Sequence, residues 1–187
     1  MALDTSKVRV AVTGALYWDL TGAGTAPTDT STAPVVAYKD MGYVSEDGVT
    51  LTMPDSGDAT PIKAWQNGAT VRTVRAGSED NPQLSLTLIE TKLEVIQAVF
   101  GVTVTQTVAH GTFEVDTTDV RPYGRLILDV VDGAELIRVY GPKAIVSSVG
   151  EIALTSQDAI GYEVTIDLER DSTASYNFKS FMTALKT

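Results

Sequence analysis

The side chains able to carry chemistry in this 187-residue chain are few and scattered. The one histidine, His110, lies in the loop-like stretch Ala109-His110-Gly111 with no acidic or hydroxyl partner beside it in sequence. A general base needs an orienting partner and a proton within reach, and the pattern supplies a signature for neither. Cysteine is absent, which removes disulfides, thiolate metal sites and thiol nucleophiles together. Gly22-Ala23-Gly24 lacks the third glycine and following helix of a dinucleotide loop, and there is no nucleophile elbow or P-loop. Asp129, Asp132 and Glu135 gather around Gly133 without EF-hand spacing, and Asp132-Gly133 reads better as a hairpin turn. The paired carboxylates of a glycosidase meet only in space, so spacing leaves that class open. What remains is a row: in Gly161–Glu169 every even residue is apolar, and Glu163, Thr165, Asp167 and Glu169 line the other face. These residues point to a structural or binding protein, with no catalytic residue, cofactor or metal expected.

The elements that would position such a row are strands. The stretch from Val71 to Gly101 organises the chain: Val71, Val74 and Ala76 interleave with Arg72, Thr73 and Arg75, and the turn formers of 77–82 include the acidic pair Glu79-Asp80. Leu84, Leu86 and Leu88 then alternate with polar residues, as in a strand with one wet face. At Thr91 the period changes. Thr91 and Glu94 have capping-box spacing, Leu93, Ile96 and Phe100 recur at helical intervals, and Gly101 closes the segment. Burial of those three side chains would contribute about 1.5–3 kcal/mol each, enough to dock a helix too short to persist alone.

Elsewhere β signals dominate. Val8, Val10 and Val12 alternate as an edge strand, and Glu46-Asp47-Gly48 reads as the turn of a hairpin leading into Val49, Leu51 and Met53. Ile62, Ala64 and Trp65 precede another turn at Gln66-Asn67-Gly68. Leu126 to Val131 and Leu136 to Tyr140 flank Asp132-Gly133, and Ala144 to Leu154 is again β-rich. Between them, about 14–40 reads as a long arm or loop carrying Tyr17-Trp18, a pair that either meets another molecule or caps the domain's own core. About 172–187 reads as a C-terminal arm in which Phe178, Phe181, Met182 and Leu185 fit an amphipathic helix or finish the core. The expectation is a single domain, mainly β, a β-sandwich or barrel with one flanking helix and extended arms.

Composition bounds the partners. With 24 acidic and 14 basic residues the formal charge is −10, a poor match to a phosphate backbone. The N-terminus has no apolar core of a signal peptide and the longest apolar runs are only a few residues, which points away from secretion by signal peptide and from membrane spanning.

Asp40-Met41-Gly42-Tyr43-Val44-Ser45-Glu46-Asp47-Gly48-Val49-Thr50, followed by Ile62-Lys63-Ala64-Trp65, resembles the major tail proteins of long-tailed bacteriophages, particularly those of actinobacterial hosts. Glu90 to Gly101 is similar to that family's single helix, and the order of strands and helix matches over most of the chain. The resemblance implies a tail-tube fold, with subunits closed into hexameric rings that stack into a hollow tube, the conduit for genome delivery. It implies self-association, contacts with a tape-measure protein, a tail terminator and distal tail or baseplate proteins, DNA passing without specific binding, and location in the virion tail. On this reading Glu163, Asp167, Glu169, Glu79 and Asp80 are candidates to face the lumen, and Tyr17, Trp18, Tyr43, Glu46, Asp47, Phe178 and Phe181 are candidates for contacts between subunits. The competing readings are the tube of a contractile tail or secretion system, and a carbohydrate-binding β-sandwich.

Overall fold

The computed structural model describes residues 4–186. Its elements follow in chain order as β1 (Thr13–Asp19), β2 (Lys39–Asp40), β3 (Val44–Thr52), β4 (Ala59–Lys63), β5 (Thr70–Arg75), β6 (Gln83–Leu88), α1 (Leu93–Phe100), β7 (Thr105–Gln106), β8 (Gly111–Thr112), β9 (Gly124–Asp132), β10 (Glu135–Val149), β11 (Tyr162–Leu168) and β12 (Lys179–Met182). One antiparallel sheet runs β2-β1-β9-β10-β11-β6-β3, with β12 added to β10; β4–β5 and β7–β8 form separate hairpins. The fold is mainly β and sandwich-like with one helix, and the sheets do not close into a barrel.

Alternation sorts the side chains. The apolar members of β6 and β11, Leu84, Leu86, Leu88, Tyr162, Val164, Ile166 and Leu168, are buried in one cluster with Leu16, Trp18, Leu126, Leu128, Val139 and Val146. The helix closes this cluster with Val95, Ile96, Ala98 and Val99, so the buried stripe lies beside the one expected and leaves Leu93 and Phe100 only half-buried. Gly101 ends the helix at φ 71, as the C-terminal glycine predicts. The capping box does not form: Lys92 holds the N-cap position without a side-chain cap, and the Thr91 hydroxyl lies 2.9 Å from that of Tyr162.

Three stretches differ from expectation for reasons of pairing. Val8, Val10 and Val12 are exposed, because β9 ends at Asp132 and offers no ladder to residues ahead of Val12. The arm expected from residue 14 begins only after β1, whose seven residues pair with β9 and bury Leu16 and Trp18. Glu46-Asp47-Gly48 is a bulge within β3, where Val44 opposes Leu88 and Val49 already opposes Leu86, with Gly48 supplying φ 73.

The C-terminal segment is neither helix nor free arm over its described part. β12 pairs with Ile137–Tyr140, and the chain then makes a short 3-10 turn, Thr183–Leu185. The unpaired edge of β10 outweighs the helical spacing of the apolar residues, because its backbone groups need partners. The Thr183 hydroxyl accepts the Leu136 N–H at 2.9 Å and donates to Glu135. Thr187 lies outside the described residues.

Candidate functional site

The carboxylate row of β11 belongs to a broader wet face. Cross-strand registers place Glu163 opposite Thr87, Thr165 opposite Ser85 and Asp167 opposite Gln83, and continue to Thr50 and Thr52 on β3. From β10, the Ser147 hydroxyl donates to Asp167 at 2.7 Å, and the Gln83 amide donates to the same oxygen at 3.0 Å. The result is a surface of hydroxyls, an amide and carboxylates, with no lysine or arginine among these positions. Glu163 and Asp167, four residues apart, are spaced by about 13 Å along it.

Glu79 and Asp80 join this face. With Asp167, Thr52, Asn81 and Gln83 they line a shallow cavity of about 340 Å³ at one end of β6 and β11. Glu169 leaves the row: its carboxylate lies 2.6 Å from the Lys143 ammonium and accepts the Tyr123 hydroxyl at 3.1 Å, which holds Lys143 above its ordinary pKa. Among the described residues, no three metal-ligating side chains cluster to hold an ion, and no helix is long and apolar enough to cross a membrane.

The same non-core face, where it continues over β1, β9 and β10, is covered by the chain itself. Tyr17 packs half-buried with the cluster of Tyr38, Ile127, Tyr140 and Tyr176, while Trp18 is 3% exposed in the main core, so both side chains contact this chain's own interior. Burial, then the nearby Asp129 carboxylate, pushes the Tyr17 pKa up. Residues 20–38 fold back over this side as a clamped loop. Asp129 and Arg138 are buried there as a bidentate pair with both contacts at 2.7 Å, and the remaining guanidinium nitrogen donates to the carbonyls of Asp29 at 3.1 Å and Thr32 at 2.6 Å. At the loop's start the buried Asp19 carboxylate accepts N–H groups of Thr21, Gly22 and Gly24 and the Thr21 hydroxyl. Burial alone would raise its pKa, but these hydrogen bonds outweigh it and hold Asp19 below the usual carboxylate value. Hydrogen bonds from Thr32 and Ser31 hold Asp29 well below it.

The remaining inter-subunit candidates divide. Tyr43 is exposed, and Glu46 and Asp47 stand on the bulge of β3, whose outer edge has no strand partner among the described residues. A slit of about 350 Å³ lies between that edge and residues 11–16. Phe178 packs against the protomer's own core, and Phe181 lies half-buried on β12 with the Lys179 ammonium 4.8 Å above its ring. The sequence pattern places Ile62, Ala64 and Trp65 before a turn and Val71 after it, and does not mark the β4–β5 hairpin as a surface of its own. Trp65 is 96% exposed. The available signal was Lys63, Arg72 and Arg75 without an acid from 59 to 75, since a buried hairpin would not place three cations among its few apolar residues.

The chain is thus a sandwich-like domain with open sheet edges, a protruding hairpin and a polar face on β11, β6 and β3. The sequence matches the phage tail tube protein family over residues 1–183, and the chain is a member of that family, a structural component of the virion tail. A comparison with curated proteins found no match.

Proposed function

We propose that this chain is the structural subunit of a non-contractile phage tail tube, closing into hexameric rings that stack around a lumen through which the genome enters the host. The observation that carries this reading is the polar face of β11, β6 and β3, built of Ser, Thr, Gln, Asp and Glu, with Lys143 of the neighbouring β10 held by Glu169 at its end. Duplex DNA carries one negative charge per about 1.7 Å, so a channel lined with lysine or arginine would retain it, whereas hydroxyls and sparse carboxylates let it pass. Glu163, Asp167, Glu79 and Asp80 face the lumen in this arrangement; Glu169, neutralised by Lys143, contributes little.

Ring closure also answers the exposed edge of β3. A free strand edge is a template for uncontrolled pairing, and a heterologous contact repeated around a ring satisfies it. Tyr43, Glu46 and Asp47 lie on that edge. The tube encloses a tape-measure protein during assembly in the host cytoplasm and is capped by a terminator and distal tail proteins.

Negative-stain electron microscopy of the purified chain across a concentration series tests the reading. Hollow tubes with six-fold end views are expected, and no sheath protein should be needed to bind them. A strictly monomeric protein that also fails to elongate from isolated tail-tip complexes would overturn it.

A further inference from the structure

The chain holds three asparagines, Asn67, Asn81 and Asn177, in chemically different settings. The amide carbon of an asparagine is open to attack by the backbone nitrogen of the next residue, a step that closes a five-membered ring. Asn81 precedes Pro82, whose nitrogen has no hydrogen to lose. Asn177 is half-buried, and its amide donates to the Leu168 carbonyl at 2.8 Å and to the Asn81 side chain at 3.2 Å. The residue after it, Phe178, packs on the core. Asn67 precedes Gly68 at the tip of the β4–β5 hairpin, and both are exposed.

The turn brings the reacting groups together. The Ala69 N–H donates to the Asn67 side-chain oxygen at 3.0 Å, which holds the side chain over the intervening Gly68 nitrogen and draws electron density from the amide carbon. Gly68 has φ 67, and a Cβ there would meet nothing within 4 Å, so no neighbour obstructs ring closure. From residue 59 to 75 there is no acid, while Lys63, Arg72 and Arg75 are cations; a positive surround favours the deprotonated nitrogen that attacks. One contact opposes the reaction: the Gly68 N–H donates to the Ala64 carbonyl at 2.9 Å. That bond belongs to a two-stranded hairpin outside the main sheet, a form only marginally stable in water, so it opens readily.

We propose that Asn67 is a site of self-modification. Hydroxide removes the Gly68 amide proton, the nitrogen bonds to the Asn67 amide carbon, and the departing nitrogen takes a proton from water and leaves as ammonia. Water then opens the ring at either carbonyl, giving aspartate or, with the chain rerouted through the side chain, isoaspartate. Either product sets a carboxylate among the three cations, and isoaspartate lengthens the backbone across the turn. The change is one-way and needs no enzyme, so residue 67 records how long a chain's hairpin has stood in solvent. This does not rest on the tube reading.

The test is peptide mass mapping of the purified full-length chain held at pH 7 and at pH 9, folded and in urea, with isoaspartate scored separately from aspartate. In the folded chain Asn67 should convert to both products while Asn81 and Asn177 keep their amides, with a rate rising about tenfold per pH unit as hydroxide becomes available. Gly68→Ala should slow it several-fold. Alanine at this positive φ strains the turn and opens it further, so slowing reports the methyl beside the attacking nitrogen. Conversion in urea but not in the folded chain would overturn the proposal, since the closed turn would then shield the site. Equal conversion of Asn67 and Asn177 in the folded chain, aspartate without isoaspartate, or an unchanged rate in Gly68→Ala would overturn it as well.

Discussion

Arg138 determines where residues 20–38 lie, because its guanidinium binds Asp129 with one edge and the loop carbonyls of Asp29 and Thr32 with the other. Arg138→Ala leaves the Asp129 carboxylate buried and unpaired, and is expected to cost about 3–5 kcal/mol in denaturant unfolding. Replacing both partners, Asp129→Leu with Arg138→Met, should recover most of that loss while still freeing the loop to exchange its amides. The loop is also held by acids whose folded pKa values are depressed, Asp19 and Asp29. Their contribution is therefore present above the unfolded value near 3.9 and is lost as pH falls through the folded values. Amide protection at Gly24 and Thr32, corrected for intrinsic exchange, should persist at pH 5 and weaken as pH falls below the unfolded value, with Thr32 protected to the lower pH and Asp19→Asn weakening protection at Gly24 already at pH 5. None of this was legible in the sequence. Asp129 occupies a wet-face position by alternation, and it is buried only because a loop about a hundred residues earlier covers it.

At the scale of elements, legibility followed periodicity. β6 and β11 bury alternate residues as their patterns predict, and the Asp132-Gly133 turn joins β9 to β10, because in each case the local signal and the tertiary need agree. They disagree in β12, where Phe178, Phe181, Met182 and Leu185 fit a helix but the open edge of β10 takes the segment as a strand. They disagree again at the start of α1. Thr91 stands one residue too early to cap it, leaving Lys92 at a position that prefers a short acceptor side chain. Lys92→Asn should therefore stabilise the protein by about 1 kcal/mol, offset in part by the exposed Lys92–Glu90 pair, which is worth about 0–1 kcal/mol. Thermal denaturation at matched concentration checks this, and a lower midpoint would show that α1 is not limited by its cap.

For the whole molecule the question is which wall the polar face forms, and charge supplies a direct probe. In the proposed tube, Glu163 and Asp167 line the lumen, so Glu163→Lys with Asp167→Lys converts a weakly repelling wall into a binding one without touching the buried side of β11. Such tubes should assemble as the parent does, since neither carboxylate pairs with another charged group among the described residues, and the hydrogen bonds lost at Asp167 are exposed. Linear duplex DNA added to preformed variant tubes should then be retained at low salt and released as salt rises, following counterion release, while parent tubes retain none. Nuclease separates the two walls. DNA held within the lumen is shielded along its length, whereas DNA on the outer surface is digested. Retention with protection places these residues inside; retention without protection places them outside and transfers the passage of DNA to a different face of the sheet.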